Sequence, residues 1–292
     1  MNPKYTQLQD GFRKWLNTIG YAESTVYAST NYVRDFFFYL KTNEVGSLEM
    51  VQPEIISNYH KYLQTRKNKT KSGSLSNNYI ISNINALKRF SKYLQETGKA
   101  DIEIKLELQA EKANTKTILT QSEIKAFYKA CDNSILGIRD RAILSIYYGC
   151  GLRSKEGQFL ELSDIILDRK LVYVRKGKQY RERYVPFVQN QMTDFKLYLK
   201  ECRPELTTEN TKNWFLLNNK GNQTDSSFLL KRIKSLTKAA GIQKDIGLHT
   251  LRHSIATHLL QSGMKIESIS QFLGHKNIDS TQRYTHLAHE ND

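Results

Sequence analysis

Apolar side chains recur every three or four residues through most of the first hundred positions, and this spacing restricts the chain there to helices. The first stretch ends at Gly20, and the apolar residues that follow the spacing in it are Tyr5, Leu8, Phe12, Trp15, Leu16 and Ile19. Three more stretches of the same kind follow along the chain. Because each has a single apolar face, the four helices must bury those faces against one another. We therefore predict a small all-helical domain over residues 1–100.

The pattern changes after this point. Residues 101–117 are polar and predict an extended linker, and Thr120 and Glu123 then have the spacing of a capping box, which begins a helix. This second domain, residues 118–292, contains further helical stretches and two runs typical of strands, DIILDRKLVYV and ERYVPF. The predicted fold is mainly α, with a small antiparallel β-sheet in the second domain.

The charge of the chain is strongly positive. Lys and Arg number 44 against 29 Asp and Glu, a formal net charge of +15, which predicts a polyanionic partner. No apolar run approaches the roughly 18 to 20 residues of a membrane span. The three cysteines are far apart and contain no CxxC pair, so they favour neither a disulfide framework nor a thiolate metal site. We expect a cytoplasmic, nucleoid-associated protein.

A predicted helix near the C-terminus begins with the polar segment HTLRH. His249 and Arg252 have the spacing of one helix face, at the helix end whose free amides and dipole attract anions. Taken alone, such residues are more often ordinary surface side chains. His249 and His253 also have a zinc-like spacing, but the glutamate of HExxH is missing and the arginine between them would repel a metal ion. A phosphate site without metal is the favoured interpretation.

Several short motifs accompany this helix in a fixed order. They are GLRSKE around Arg153, a lysine in the basic turn before ERYVP, HTLRH, LGH around His275, and YTH around Tyr284. Each motif is weak alone, but together and in this order they are specific. The chain resembles the tyrosine recombinases of the integrase superfamily, and is similar to the two-domain Xer-type site-specific recombinases over nearly its whole length.

The resemblance implies a helical core-binding domain followed by a catalytic domain, closing around DNA as a clamp. It also implies a catalytic set, with Glu156 in support: Arg153, Lys178, His249, Arg252, His275 and Tyr284. Tyr284 would attack the scissile phosphorus, forming a 3′-phosphotyrosyl bond and releasing a 5′ hydroxyl. No cofactor, metal or ATP is expected.

The other residues of the set would assist this attack. Arg153 and Arg252 would neutralise the nonbridging oxygens, a role that planar guanidiniums suit. Lys178 would protonate the leaving oxygen, and His249 would accept the phenol proton. His275 would hydrogen-bond a nonbridging oxygen, and Glu156 would orient the cluster.

The implied partner is double-stranded DNA carrying a short inverted-repeat site. Four identical chains would assemble on two duplexes and form a Holliday junction, and an accessory recombinase or DNA-bending protein could take part. From the clustering of basic residues we expect phosphate contacts at Lys67, Lys69, Lys88, Arg89 and Arg183.

Departures from the family pattern leave some points open. Gly157 stands where an aliphatic residue is usual, and Lys176 competes with Lys178 for the role of general acid. The short segment after Tyr284 implies either a short assembly contact or a truncated end. Two other functions remain open: relaxation of DNA by a type IB topoisomerase-like enzyme, and regulation by a DNA-binding protein that has lost catalysis.

Overall fold

The structure, a computed structural model, describes residues 3–68, 72–106, 117–175 and 182–275. The chain divides into two compact units, Met1–Asn114 and Thr115–Asp292. Among the described residues, none of the helices combines the length and the apolar character that a membrane span requires.

The first unit is helical throughout its described elements. They are α1 (Pro3–Thr18), α2 (Glu23–Thr42), a 3₁₀ turn (Leu48–Met50), α3 (Pro53–Thr65) and α4 (Asn77–Glu96). The apolar faces meet in an aromatic core, where Tyr5 stacks on Phe37 at 4.4 Å and Phe12 meets Phe90 edge to face at 5.3 Å. Burial of these faces accounts for the helical spacing in the sequence.

The second unit contains the remaining helices. They are α5 (Gln121–Ala130), α6 (Ile135–Leu144), α7 (Ser154–Gln158), α8 (Gln189–Leu197), α9 (Arg203–Leu206), α10 (Ser226–Ala239), α11 (Leu248–Gln261) and α12 (Ile266–Leu273). π-Helical turns at Ser145–Gly149 and Tyr198–Cys202 follow α6 and α8, and a 3₁₀ turn covers Leu162–Asp164. The predicted capping box is confirmed, since Thr120 Oγ1 accepts from the Glu123 amide at 3.1 Å and the Thr120 amide donates to Glu123 Oε2 at 2.7 Å.

The described strands form one small antiparallel sheet in the order β1 (Ile165–Ile166), β2 (Leu171–Val174) and β3 (Arg183–Pro186). The register of β2 and β3 pairs Val172 with Val185, both fully buried, and Val174 with Arg183. A mainly helical chain with a small antiparallel sheet in its second part confirms the predicted fold class.

The core of the second unit brings distant segments to one place. The π-helical turn after α6 packs against α11, with Tyr147 and Leu251 fully buried, and β3 packs against α12. The chain reverses at Gly151 and enters α7. The start of α7, the first residue of β3, the N-terminal half of α11 and the end of α12 therefore lie together.

Candidate active site

The last carbonyls of α12 accept hydrogen bonds from three arginine side chains. A helix C-terminus leaves its final carbonyls without partners inside the helix and has a partial negative charge. A guanidinium can donate hydrogen bonds to these carbonyls, and its positive charge is attracted by the partial negative charge. The contacts are Arg183 Nε to Phe272 O (3.0 Å), Arg252 Nη2 to Leu273 O (2.6 Å), Arg153 Nη1 to Leu273 O (3.3 Å) and Arg153 Nη2 to Gly274 O (3.1 Å).

The Glu156 carboxylate lies among the same three arginines. Arg183 meets it with two parallel bonds, Nη1 to Oε1 at 2.9 Å and Nη2 to Oε2 at 3.0 Å. Arg153 Nη1 lies 2.9 Å from Oε1, and Arg252 Nη1 lies 3.8 Å from Oε2. One carboxylate thus faces three guanidiniums, which leaves the cluster with an excess of positive charge.

Glu156 is ionised despite its burial. Its side chain is 1% exposed, and burial by itself would raise the pKa of the carboxyl. Hydrogen bonding and charge from Arg183, the backbone amide of Arg153 and the charge of Arg252 outweigh burial and lower the pKa to about 2. The carboxylate can therefore orient the arginines at neutral pH.

The spacing of the GLRSKE motif has a local structural reason. Arg153 precedes the first turn of α7, and its backbone amide donates to Glu156 Oε2 at 2.8 Å, as in the second half of a capping box. The same carboxylate then reaches the Arg153 guanidinium. The motif therefore fixes both the start of the helix and the direction of its arginine.

Gly157, the departure from the family pattern, faces a buried aromatic ring. A Cβ at this position would lie 2.6 Å from the ring of Tyr147, whose hydroxyl donates to the Ser154 carbonyl at 3.1 Å. The ring of Tyr147 thus occupies the space that a side chain at position 157 would need.

Arg252 and His249 share the first half of α11 but differ in exposure. The Arg252 side chain is 4% exposed, and its Nη1 donates to the Gly151 carbonyl at 2.5 Å. His249 is exposed, one turn nearer the start of the helix. The rings of His249 and His253 lie 6.5 Å apart, and within the described ranges no three His, Cys, Asp or Glu residues are grouped as a metal site.

His275 follows directly on the end of α12. Gly274 ends the helix in the left-handed conformation, with φ +64°, and the His275 amide donates to the Ser270 carbonyl at 3.0 Å. Burial, followed by the charges of Arg252, Arg153 and Arg183, lowers the pKa of His275 to about 3. The imidazole is therefore neutral at neutral pH and lies beside the arginine cluster.

The structure brings together Arg153, Glu156, Arg252 and His275 from the expected set. Lys178, its competitor Lys176, the expected nucleophile Tyr284 and the expected phosphate contact Lys69 lie outside the described residues.

The described phosphate-contact candidates differ in their surroundings. Lys67 is exposed just after α3, and Lys88 is exposed on α4 with its Nζ donating to the Leu106 carbonyl at 3.0 Å. Arg89 is half-buried and lies over the Tyr21 ring at 5.4 Å. Each remains a candidate by position and charge.

Arg183 requires a correction. Charge clustering placed it among the surface phosphate contacts, but its side chain is 8% exposed and its guanidinium is bonded to Glu156 and Phe272. Its acidic partner lies 27 residues away in the chain, a pairing that the local sequence could not indicate. The only available signal was its position in the ERYVP motif that follows the hairpin.

Comparison with known proteins shows the family to which the chain belongs. The family model described as the phage integrase family matches residues 117–291. Tyrosine recombinase XerD of Listeria monocytogenes serovar 1/2a is 32% identical over 262 residues, which cover 88% of this chain and 86% of the relative. Tyrosine recombinase XerC 2 of Ralstonia nicotianae is 28% identical over 289 residues, covering 98% of this chain and 83% of the relative.

Solved structures show the same architecture. The crystal structure of XerA recombinase matches with a TM-score of 0.55 and 26% identity, covering 98% of this chain and 95% of that chain. The XerH site-specific recombinase bound to difH substrate has the same fold, with a TM-score of 0.73 and 21% identity over 97% of this chain and 81% of that chain. By its family match, its relatives and the site at the end of α12, the chain belongs to the phage integrase family, as a tyrosine recombinase.

Proposed function

We propose that this chain is a site-specific DNA recombinase that cleaves and rejoins strands through a covalent bond between Tyr284 and a 3′ phosphate, with a Holliday junction as intermediate. Membership of the tyrosine recombinases makes it an enzyme of DNA strand cleavage and rejoining. The observation that carries the proposal is the meeting of Arg153, Arg252 and His275 at the end of α12.

The two arginines bind the scissile phosphate in this proposal. The net positive charge of three guanidiniums around one carboxylate attracts a phosphodiester, which has a single negative charge. Arg153 and Arg252 then stabilise the charge that develops on its nonbridging oxygens. His275, neutral in the protein alone, donates one hydrogen bond to the same phosphate. Glu156 holds the arginines in position and does not react.

Bond making and breaking involve residues on three segments. The Tyr284 oxygen attacks phosphorus, the bond from phosphorus to the 5′ oxygen breaks, and Lys178 gives that oxygen a proton. His249, exposed at the start of α11, accepts the phenol proton. The phosphotyrosyl bond preserves the energy of the phosphodiester, so a 5′ hydroxyl can attack it and rejoin the strand without ATP.

Binding to DNA uses both units. Lys67, Lys69, Lys88 and Arg89 of the first unit contact phosphates around a short inverted-repeat site, and the second unit carries the chemistry. Exchange between two duplexes requires four protomers. The XerH structure, solved with its difH substrate, supports DNA as the partner of this fold.

The test is trapping of the covalent adduct. The probe is a nicked duplex whose site is selected from a random-sequence pool by binding to the wild-type chain. The nick lets the short cleaved fragment diffuse away, so the adduct accumulates and migrates slowly on a denaturing gel. With EDTA present, the wild type should form the adduct and Tyr284→Phe should not, although both bind the probe.

Two results would change the proposal. An adduct accompanied by relaxation of supercoiled DNA and no recombinant product would indicate a topoisomerase-like enzyme. Tight binding without any adduct in the wild type would contradict strand cleavage and favour a DNA-binding regulator.

A further inference from the structure

Arg183 joins three separate elements of the site. It is the first residue of β3, which pairs with β2, and it lies five residues after Lys178 in the sequence. Its Nη1 and Nη2 bond both oxygens of Glu156 on α7, and its Nε bonds the Phe272 carbonyl on α12. Every nitrogen of the guanidinium thus has a partner inside the site, and the hairpin strand is tied to the helix that precedes His275.

The guanidinium also lies against the turn that ends α12. A Cβ built on Gly274 would come within 2.7 to 2.9 Å of Arg183 Nη1, Cζ and Nε. The backbone of Gly274 and the plane of the guanidinium are therefore in close contact. Because the two Glu156 bonds and the Phe272 bond fix that plane, the turn carrying His275 has a rigid support on this side.

We propose that Arg183 is a positioning residue for strand cleavage: it acts through Glu156 and Gly274 to set the directions of Arg153 and His275 toward one phosphate. The inference rests on the proposed function above. Arg183 itself does not bind the phosphate, because all three nitrogens of its guanidinium already donate to Glu156 and Phe272. Lysine, with a single nitrogen, cannot reproduce two parallel bonds and a third one to a carbonyl.

The expected effect lies in the chemical step. Side chains that orient the ligands of metal sites change activity by about 10- to 100-fold when they are replaced. A misplacement of reacting groups by about 1 Å has an effect of similar size, about 100-fold, and we expect the same scale here. Loss of Arg183 should therefore slow adduct formation while the affinity for DNA, which depends on many other phosphate contacts, stays nearly constant.

The experiment measures adduct formation on the nicked selected duplex, with the duplex in saturating excess so that each chain is trapped after one reaction, and at a temperature well below the Tm of every variant. For Arg183→Gln we expect the rate constant to fall about 100-fold, and for Arg183→Lys about 10-fold, with the Kd for the duplex within about threefold of wild type. The amplitude, which counts the folded and competent chains, should stay near that of wild type.

Arg175→Gln is the matched control. Arg175 directly follows β2 and also pairs with carboxylates, Glu161 at 2.6 Å and Asp164 at 3.0 Å, but these partners are neither Glu156 nor residues of α12. Its rate constant should equal that of wild type. A second comparison adds Glu156→Gln: if Arg183 acts through Glu156, the double variant should be no slower than the slower single variant.

The outcomes separate the alternatives. A lower amplitude with an unchanged rate constant for both Arg183 variants would mean that Arg183 only stabilises the fold, and would overturn the inference. Equal losses in Arg183→Gln and Arg175→Gln would also overturn it, because a general disturbance of the hairpin would then suffice. If the wild type itself forms no adduct on a duplex that it binds, the proposed function fails, and the inference fails with it.

Discussion

At the scale of single residues, Gly274 shows how one backbone position controls the site. It ends α12 with φ +64°, a conformation that costs other residues about 1–2 kcal/mol. A methyl group there would also meet the Arg183 guanidinium at 2.7 Å. A long flexible side chain could normally move aside, but Arg183 is fixed by its bonds to Glu156 and Phe272.

Gly274→Ala should therefore be less stable than the wild type. Its free energy of unfolding should decrease by the backbone cost of about 1–2 kcal/mol and by about 1–3 kcal/mol more for the contact with Arg183. Gly263→Ala is the control, because Gly263 also has positive φ, +86°, and nothing lies within 4 Å of its added methyl. Urea unfolding followed by Trp214 fluorescence, in a Trp15→Phe background, reports on the second unit. Equal decreases in the free energy of unfolding of the two variants would show that the Arg183 side chain moves aside without an energetic cost.

The sequence alone could predict that Arg153 lies beside Glu156, but it could not predict the surroundings of Arg183 and Gly157. Arg153 and Glu156 are three positions apart, so one turn of α7 is enough to bring them together. The relation between Arg183 and Glu156 depends on tertiary packing across 27 residues, and clustering of charge in the sequence instead suggested a phosphate contact. The space for Gly157 depends likewise on Tyr147, ten residues earlier in a π-helical turn.

At the scale of elements, helix starts were more predictable than helix interiors. The capping box at Thr120 involves residues three positions apart, and its geometry follows from local rules. The apolar spacing of the segment IRDRAILSIYYG predicts one helix, but the segment contains most of α6 and then the π-helical turn Ser145–Gly149. The spacing of apolar residues could not distinguish an α-helix from a π-helical turn here, and the turn packs against α11, which is distant in the sequence.

The end of α12 makes stability depend on pH. The folded-state pKa of His275 is lowered to about 3 by burial and by the three arginines, from an ordinary value of 6.5. Between these values the unfolded chain binds a proton that the folded chain does not, so stability should decrease as pH falls from 7 to 5. Glu156, with its pKa near 2, contributes to the pH dependence only below its ordinary 4.5.

We therefore expect the second unit to be less stable at pH 5 than at pH 7, by on the order of 1 kcal/mol from His275 after allowance for solvent screening. His275→Gln should flatten this part of the profile, measured by the same Trp214 fluorescence. His60→Gln, a change on α3 in the first unit, should leave the profile of the second unit unchanged. An identical slope in wild type and His275→Gln would show that other groups cause the dependence.

At the scale of the whole molecule, the formal charge of +15 determines how the chain meets DNA. Each basic side chain that neutralises a phosphate releases counterions, so affinity decreases with salt by a slope that counts the contacts. Net charge steers a polyanion toward the molecule, but only side chains at the interface contribute to the slope. Measurement of the slope can therefore distinguish a contact from a background charge.

Lys67 offers the clearest case. It is exposed just after α3, and we expect Lys67→Ala to reduce the slope of log Kobs against log salt by about 0.9, the value for one phosphate contact. Lys200→Ala removes the same charge from a side chain that is 84% exposed on the second unit and should leave the slope unchanged. Fluorescence anisotropy with the selected duplex at several salt concentrations gives both slopes. Equal decreases in the slope for the two variants would show that net charge, and not a specific contact, determines binding. No decrease in the slope for Lys67→Ala would show that Lys67 does not contact a phosphate.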